Sequence, residues 1–190
     1  MSFDRGFQED PMGRVVFLFV ILWILNPPLL NAQPVPGIEE LLGRIYPKPA
    51  TFTRKVSYLL REEVENLEKV AGVAFPSRMI LTYKIELTSA VTHYAYLDIH
   101  RVRTKEEALL VILDERERIA RIEVLWNLEP EEYHPPPRWL KTRENLLLTD
   151  PETRNLPPLT GATLTTRAVG EAIRRVQVLH PYLKGKGFFR

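Results

Sequence analysis

The sequence predicts an α+β fold: an antiparallel four-stranded meander packed with helices, in a single extracytoplasmic domain. Three observations carry this. Four short segments between residues 79 and 126 are rich in β-branched and aromatic residues. Segments with helical spacing of apolar residues stand before and after them. An unbroken apolar run near the start reads as an export signal.

The elements follow in chain order. "VVFLFVILWIL" (15–25) spans roughly 16 Å as a helix. That is short of the about 30 Å of a bilayer core. Asn26, Pro27 and Pro28 break the run, and Ala32 in "LNAQ" offers a small residue for cleavage. Residues 1–32 thus read as a secretory signal peptide, with Met12 as its natural start, because Asp4, Glu9 and Asp10 are out of place ahead of a signal. The second reading is an uncleaved anchor that leaves the protein membrane-associated. Both put the rest of the chain outside the cytoplasm.

Residues 33–78 are expected to be a helical N-terminal segment. In "GIEELLGRIYP", Ile38, Leu41, Leu42 and Ile45 share a face. In "REEVENLEKVAG", Val64, Leu67 and Val70 do so, and Gly72 suits a C-terminal stop. Residues 79–180 form the main domain. Its four strands are "MILTYKIEL", "VTHYAYLDI", "EALLVILD" and "IARIEVLW", with "DERER" (114–118) as a charged turn. The four prolines of "NLEPEEYHPPPRW" exclude regular helix and central strand. A short helix is expected from Arg138 to about Leu147. The last helix carries Val169, Ile173, Val176 and Leu179 as its apolar stripe, with Arg167, Glu171, Arg174 and Arg175 outside it. Pro181 is expected to end it and leave a basic tail, 181–190.

Composition narrows the function. The chain has 190 residues, 45% hydrophobic and 26% charged, which suits one domain with attachments. A net charge of +2 argues against nucleic acid as a partner. The absence of cysteine excludes disulfides, thiolate metal sites, cysteine-ligated iron–sulfur clusters, thioether-linked haem and a lipoprotein anchor on cysteine. His93, His100, His134 and His180 lack metal-ligand spacing, so no metal is expected. His100 reads as a surface histidine at a strand end. Asp98 and Glu123 read as a solvated strand face. Trp126, Trp139 and Tyr133 read first as packing aromatics, with stacking on a flat ligand as the alternative. No nucleophile–base pair points to a hydrolase.

The chemistry concentrates in "TGATLTTRAV" (160–169), where four threonines fall within seven residues at a helix start. Helix N-termini hold unpaired N–H groups that suit phosphate. Gly161 allows close backbone approach. A threonine hydroxyl can cap the helix, donate to phosphate or be esterified to it. The plainer reading of the same residues is an N-cap at Thr165 or Thr166.

This stretch resembles the signature of the FMN-binding domain family. That family includes the periplasmic C and G subunits of the Na⁺-pumping NADH:quinone reductase and the Rnf complex. "ALLVILDERERIARIEVL" (108–125) resembles the paired strands before the family's flavin loop. The resemblance implies FMN joined through its phosphate to Thr163, with Thr160, Gly161 and Ala162 as the loop. A phosphate there would face the free N–H groups of Leu164 to Arg167 at the helix start, and Thr160, Thr165 and Thr166 would donate hydroxyls to its oxygens or cap the helix. Glu129 would match the glutamate of the family's middle loop. It implies as partners a periplasmic flavin transferase and redox proteins of the envelope. It implies an electron-transfer flavoprotein of the periplasm or the outer face of the inner membrane, rather than an autonomous enzyme. The family carries aspartate three residues before the loop threonine, where this chain has Pro157. That departure favours a second function, a flavin-free interaction or scaffold domain of the same fold on an envelope complex. A cytosolic nucleotide binder is disfavoured by the apparent signal peptide.

Overall fold

A computed structural model describes residues 37–190 apart from Ser89, Arg154 and Arg190. The expected signal peptide or anchor therefore lies outside the described residues. Residues 37–190 form one compact unit. Among the described residues, no helix is long and apolar enough to cross a membrane.

The elements are α1 (Ile38–Ile45), β1 (Thr51–Tyr58), α2 (Arg61–Ala71), β2 (Met79–Glu86), β3 (Thr92–Val102), β4 (Lys105–Leu113), β5 (Ile119–Asn127), the short α3 (Pro137–Leu140) and the long α4 (Thr163–Gly185). Three 3₁₀ turns lie between β5 and α4. The class is α+β, with one antiparallel sheet in the order β1-β2-β3-β4-β5. The sheet has five strands, not the expected four. The additional strand, β1, falls within the stretch read as helical, and it pairs along its length with β2, from Thr51↔Glu86 to Tyr58↔Met79. It is an edge strand. Its half-exposed positions, with Arg54 and Lys55 among them, blur the alternation that would reveal it.

The meander β2 to β5 forms where the apolar segments lie. Asp114 closes the β4–β5 turn by accepting the amides of Arg116 and Arg118 at 2.9 and 2.7 Å. β4 is the most deeply buried strand. Leu109, Val111 and Leu113 join the main core, while Ala108, Leu110 and Ile112 are equally buried on the other face. That explains why "ALLVIL" is a continuous apolar run rather than an alternating one.

α4 lies across β3 and β4 and packs against α2. Its Val169, Ile173, Val176 and Leu179 are buried, as the periodicity requires. α1 associates with the opposite face: the hydroxyl of Tyr46, just beyond it, lies 2.8 Å from Nδ1 of His93.

Three further expectations are corrected. α4 does not end at Pro181 but continues to Gly185. Gly187, at φ 69, then turns the chain back, and the Phe188 amide donates to the Leu183 carbonyl. Phe189 is buried against Tyr94, Tyr96 and His180, so this residue is folded into the core, while Lys184 and Lys186 stay exposed. The helix expected over 138–147 is only α3 followed by a 3₁₀ turn at Lys141–Arg143, and Leu147 instead bridges to Arg118.

Candidate functional site

α4 begins without a cap. The residue before it is Ala162, and no side chain accepts from its first turn. The reading of Thr165 or Thr166 as an N-cap is therefore wrong: both lie inside the helix. The Thr166 amide donates to the Ala162 carbonyl at 3.1 Å. The amides of Thr163, Leu164 and Thr165 are left open among the described residues, whereas the expected open set ran from Leu164 to Arg167.

Those residues line a cavity of about 260 Å³, together with Gly161, Ala162, Arg103 and Tyr133. Gly161 has φ 78, a left-handed conformation in which a side chain would be strained, and no atom stands where its Cβ would be. Thr163 is exposed at the helix start. Its hydroxyl has no hydrogen-bond partner among the described residues.

Two of the other threonines are held by the protein. Thr165 is buried and donates its hydroxyl to the Tyr133 carbonyl at 2.6 Å. The Thr166 hydroxyl accepts from the Leu159 amide and donates to the Ala162 carbonyl. Thr160 is exposed and Leu164 half-exposed. Of the expected site residues, Gly161, Ala162, Thr163, Leu164 and Thr165 share the cavity. Thr160, Thr166 and Glu129 do not line it.

Glu129 lies close by with another task. One of its carboxylate oxygens accepts the amides of Thr104 and Lys105 at 3.0 and 2.9 Å. These bonds hold its pKa below the usual carboxylate range, and the charge of Arg103 adds to the effect. Glu129 thus fixes the two-residue β3–β4 turn that carries Arg103. The Arg103 guanidinium stands 4.6 Å from the centre of the Tyr133 ring. Sequence reading overlooked Arg103. The available signal was "VRTK", where two strands meet across two non-glycine residues.

Of the three aromatics, Tyr133 is the one that lines the cavity. Trp139 is buried and donates its indole N–H to the Pro157 carbonyl at 2.7 Å. That bond pins the loop ahead of the threonines by its main chain. Trp126 sits half-buried on β5.

A second cluster was misread as surface. Asp98 and His100 are buried, and so is Arg175. Arg175 grips Asp98 with two bonds, at 2.7 and 2.8 Å, and donates to the Ala74 carbonyl. His100 stands between Asp98 and Glu107, at 2.7 and 3.1 Å. Both ring nitrogens face carboxylate oxygens, so with both acids ionised both nitrogens donate and the ring is charged. Burial opposes that charge, but the hydrogen bonds the ring donates to Asp98 and Glu107 outweigh it and raise the imidazole to about 9. Against its own burial, the bonds it accepts from Arg175 first and from His100 second hold Asp98 well below its ordinary value. Glu107 also accepts from Asn127, whose carbonyl oxygen takes the Glu129 amide. A hydrogen-bond chain therefore runs from α4 to the Arg103 turn. Glu123 is paired with Arg121, not with Asp98. Among the described residues, no group of three or more histidines and acids is arranged for a metal ion.

No protein-family model matches this chain, and comparison with curated proteins and with solved structures gives no match.

Proposed function

We propose that the protein is an exported electron carrier of the cell envelope, with FMN attached through its phosphate to Thr163. One observation carries this reading: an uncapped helix start whose free amides and free threonine hydroxyl open into a cavity that also holds a cation and an aromatic ring.

The residues fit the group. Three open amides and the helix dipole favour a phosphate at Thr163. Open space at Gly161 lets the backbone approach it. A cavity of about 260 Å³ falls below the roughly 300–1,000 Å³ that encloses a drug-sized ligand. A flavin held there keeps part of its surface open, as exchange of electrons with a partner requires. Bound FMN supplies one- and two-electron chemistry, and the chain supplies position and surroundings.

Joining FMN itself to a hydroxyl in water means expelling water, which is unfavourable. The reaction therefore calls for a flavin nucleotide pyrophosphate as donor and a flavin transferase in the periplasm. The Thr163 oxygen forms the new bond to the flavin-side phosphorus. The pyrophosphate P–O bond breaks, and the leaving nucleotide takes its electron pair while the hydroxyl proton is released. Nothing is oxidised or reduced in this step. Electron donors and acceptors would be redox proteins of the envelope, and the carrier is not an autonomous enzyme.

Pro157 favours the second reading, a flavin-free interaction or scaffold domain on an envelope complex. Co-production with an active periplasmic flavin transferase separates the two. The first reading requires a yellow protein whose colour survives denaturation and whose mass rises by FMN less one water. Thr163→Ala must lose that mass, while Thr165→Ala and Thr166→Ala keep it. A colourless wild type, made beside a control acceptor that turns yellow, refutes the first reading.

A further inference from the structure

We infer that Arg103 is the anion-selecting residue of this cavity, a cation aimed at phosphate carried on Thr163, and that Glu129 is its positioning residue. The inference rests on the flavin reading for its natural ligand, but the geometry concerns phosphate.

Arg103 and Thr163 line the same cavity. The link between them is short and fixed. Arg103 stacks on Tyr133, and the Tyr133 carbonyl accepts the hydroxyl of Thr165, in the first turn of α4. The cation and the helix start are thereby tethered through one residue.

Most other cations near α4 are already engaged. Arg175 is bound to Asp98, Lys184 to Glu117, Lys186 to Glu63 and Arg167 to Glu171. Arg103 forms no ion pair among the described residues; it lies over the Tyr133 ring and is hydrogen-bonded to the Tyr133 side chain, a neutral partner that leaves its charge uncompensated. Glu129 and Glu132 act on it only at longer range. The Glu129 carboxylate is occupied with the Thr104 and Lys105 amides.

The backbone of Arg103 makes the same point. It has φ 53, a left-handed conformation that L residues rarely adopt and that glycine or asparagine would fill more easily. A guanidinium is kept there at a conformational cost. Glu129 stabilises the turn by taking both of its outgoing amides, and Asn127 holds Glu129 by its own amide. Guanidinium matches phosphate with paired N–H donors. The phosphodiester formed at Thr163 would keep one negative charge, opposite Arg103 on one side and the amides of Thr163 to Thr165 on the other.

The test uses the full chain and two readouts. The first is flavin loading by intact mass after co-production with the transferase, with the ³¹P resonance of the loaded protein. Arg103→Gly relieves the backbone, so its melting temperature is expected to equal or exceed that of wild type. Its loading is expected to fall at least tenfold, and the ³¹P resonance of whatever loads should move. Arg103→Lys should restore part of both. Glu129→Ala should reduce loading, and Glu129→Gln, which still accepts the two amides, should recover it. Undiminished loading and an unmoved ³¹P resonance in Arg103→Gly would overturn the inference and leave the flavin reading standing. The second readout needs no flavin: titration with inorganic phosphate, followed at the Thr163, Leu164 and Thr165 amides. Shifts in wild type that vanish in Arg103→Gly support the inference even where the wild type never loads flavin. Equal shifts in both proteins, or none in either, reject it.

Discussion

Raising the pH through the buried His100 site is expected to weaken the fold in a window where almost nothing else contributes. His100 is charged because both its nitrogens must donate to carboxylates, and its pKa rises from 6.5 to about 9 on folding. A group raised by folding stabilises fully below its unfolded value and stops doing so as pH rises through its folded value. At about 1.4 kcal/mol per pH unit, the charged ring contributes on the order of 3 kcal/mol at low pH. Most of that, roughly 2.5 kcal/mol, is lost between about pH 6.5 and 9. The slope near pH 8 is about 1.2 kcal/mol per unit, because native His100 is then mostly charged and unfolded His100 mostly neutral. Neighbouring groups leave the window clear. Asp98 and the other shifted carboxylates titrate below it, and burial pushes Tyr46 up to about 12. His180 is lowered, chiefly by burial, so its effect falls on the acid side. Urea unfolding at pH 6.5, 7, 8 and 9 reads this directly. With a urea m of about 2 kcal/mol per molar, the midpoint should fall by about 1 M across the window. The double variant His100→Gln/Glu107→Gln removes one positive and one negative charge and leaves Asp98 paired with Arg175. Its midpoint should be flat over the same range. A flat wild-type profile, or an equal slope in the double variant, would refute the assignment of a charged His100.

Two further outcomes are expected. Arg175→Met leaves buried Asp98 with His100 as its one remaining cation and should destabilise the protein by about 3 kcal/mol by urea unfolding, far more than the half-exposed Arg174→Met. Pro157→Asp should leave stability within about 0.5 kcal/mol, because the exposed position contributes only a main-chain carbonyl to Trp139. Flavin loading of that variant should equal or exceed that of wild type. A colourless wild type beside a yellow Pro157→Asp would identify the flavin-free reading as correct for this chain.

The parts of the fold legible in the sequence are those where burial is one-sided or complete. β2 to β5 announce themselves through Ile, Val, Leu and Tyr, and α4 through its apolar stripe. β1 was hidden because an edge strand half in water keeps charged residues at alternate depths. Arg175 was hidden by its type, since arginine is rarely buried unless paired. Yet Ala168, Ala172 and Leu179 flank it at helical spacing and are buried with it. Small residues beside a large polar one on a core face were the available sign. Asp98 carried the matching sign, since it alternates with Tyr94, Tyr96 and His100 along β3. Pro181 misled because proline usually stops a helix. Here it lies about one turn from the end, and Leu183 and Phe189 anchor the chain beyond it in the core.

At the candidate site, sequence could mark the threonine loop but not what stands opposite it. Thr163 and Arg103 are sixty residues apart in number, and only the return of α4 across β3 and β4 brings their surroundings together. The buried ionic chain explains how that meeting is kept in register. Arg175 fixes α4 to Asp98 on β3. His100 and Glu107 then join β3 to β4, Asn127 adds the end of β5, and Glu129 closes on the β3–β4 turn. Its members include α4, which carries Thr163, and β3 and β4, whose turn carries Arg103. Charges buried this deeply are costly unless every one is paired. Placing them between the helix and the turn constrains the two halves of the cavity relative to each other. Loss of the His100 proton should therefore be felt at Arg103 as well as in global stability, so the same pH window that lowers the urea midpoint should weaken phosphate binding at the Thr163 amides.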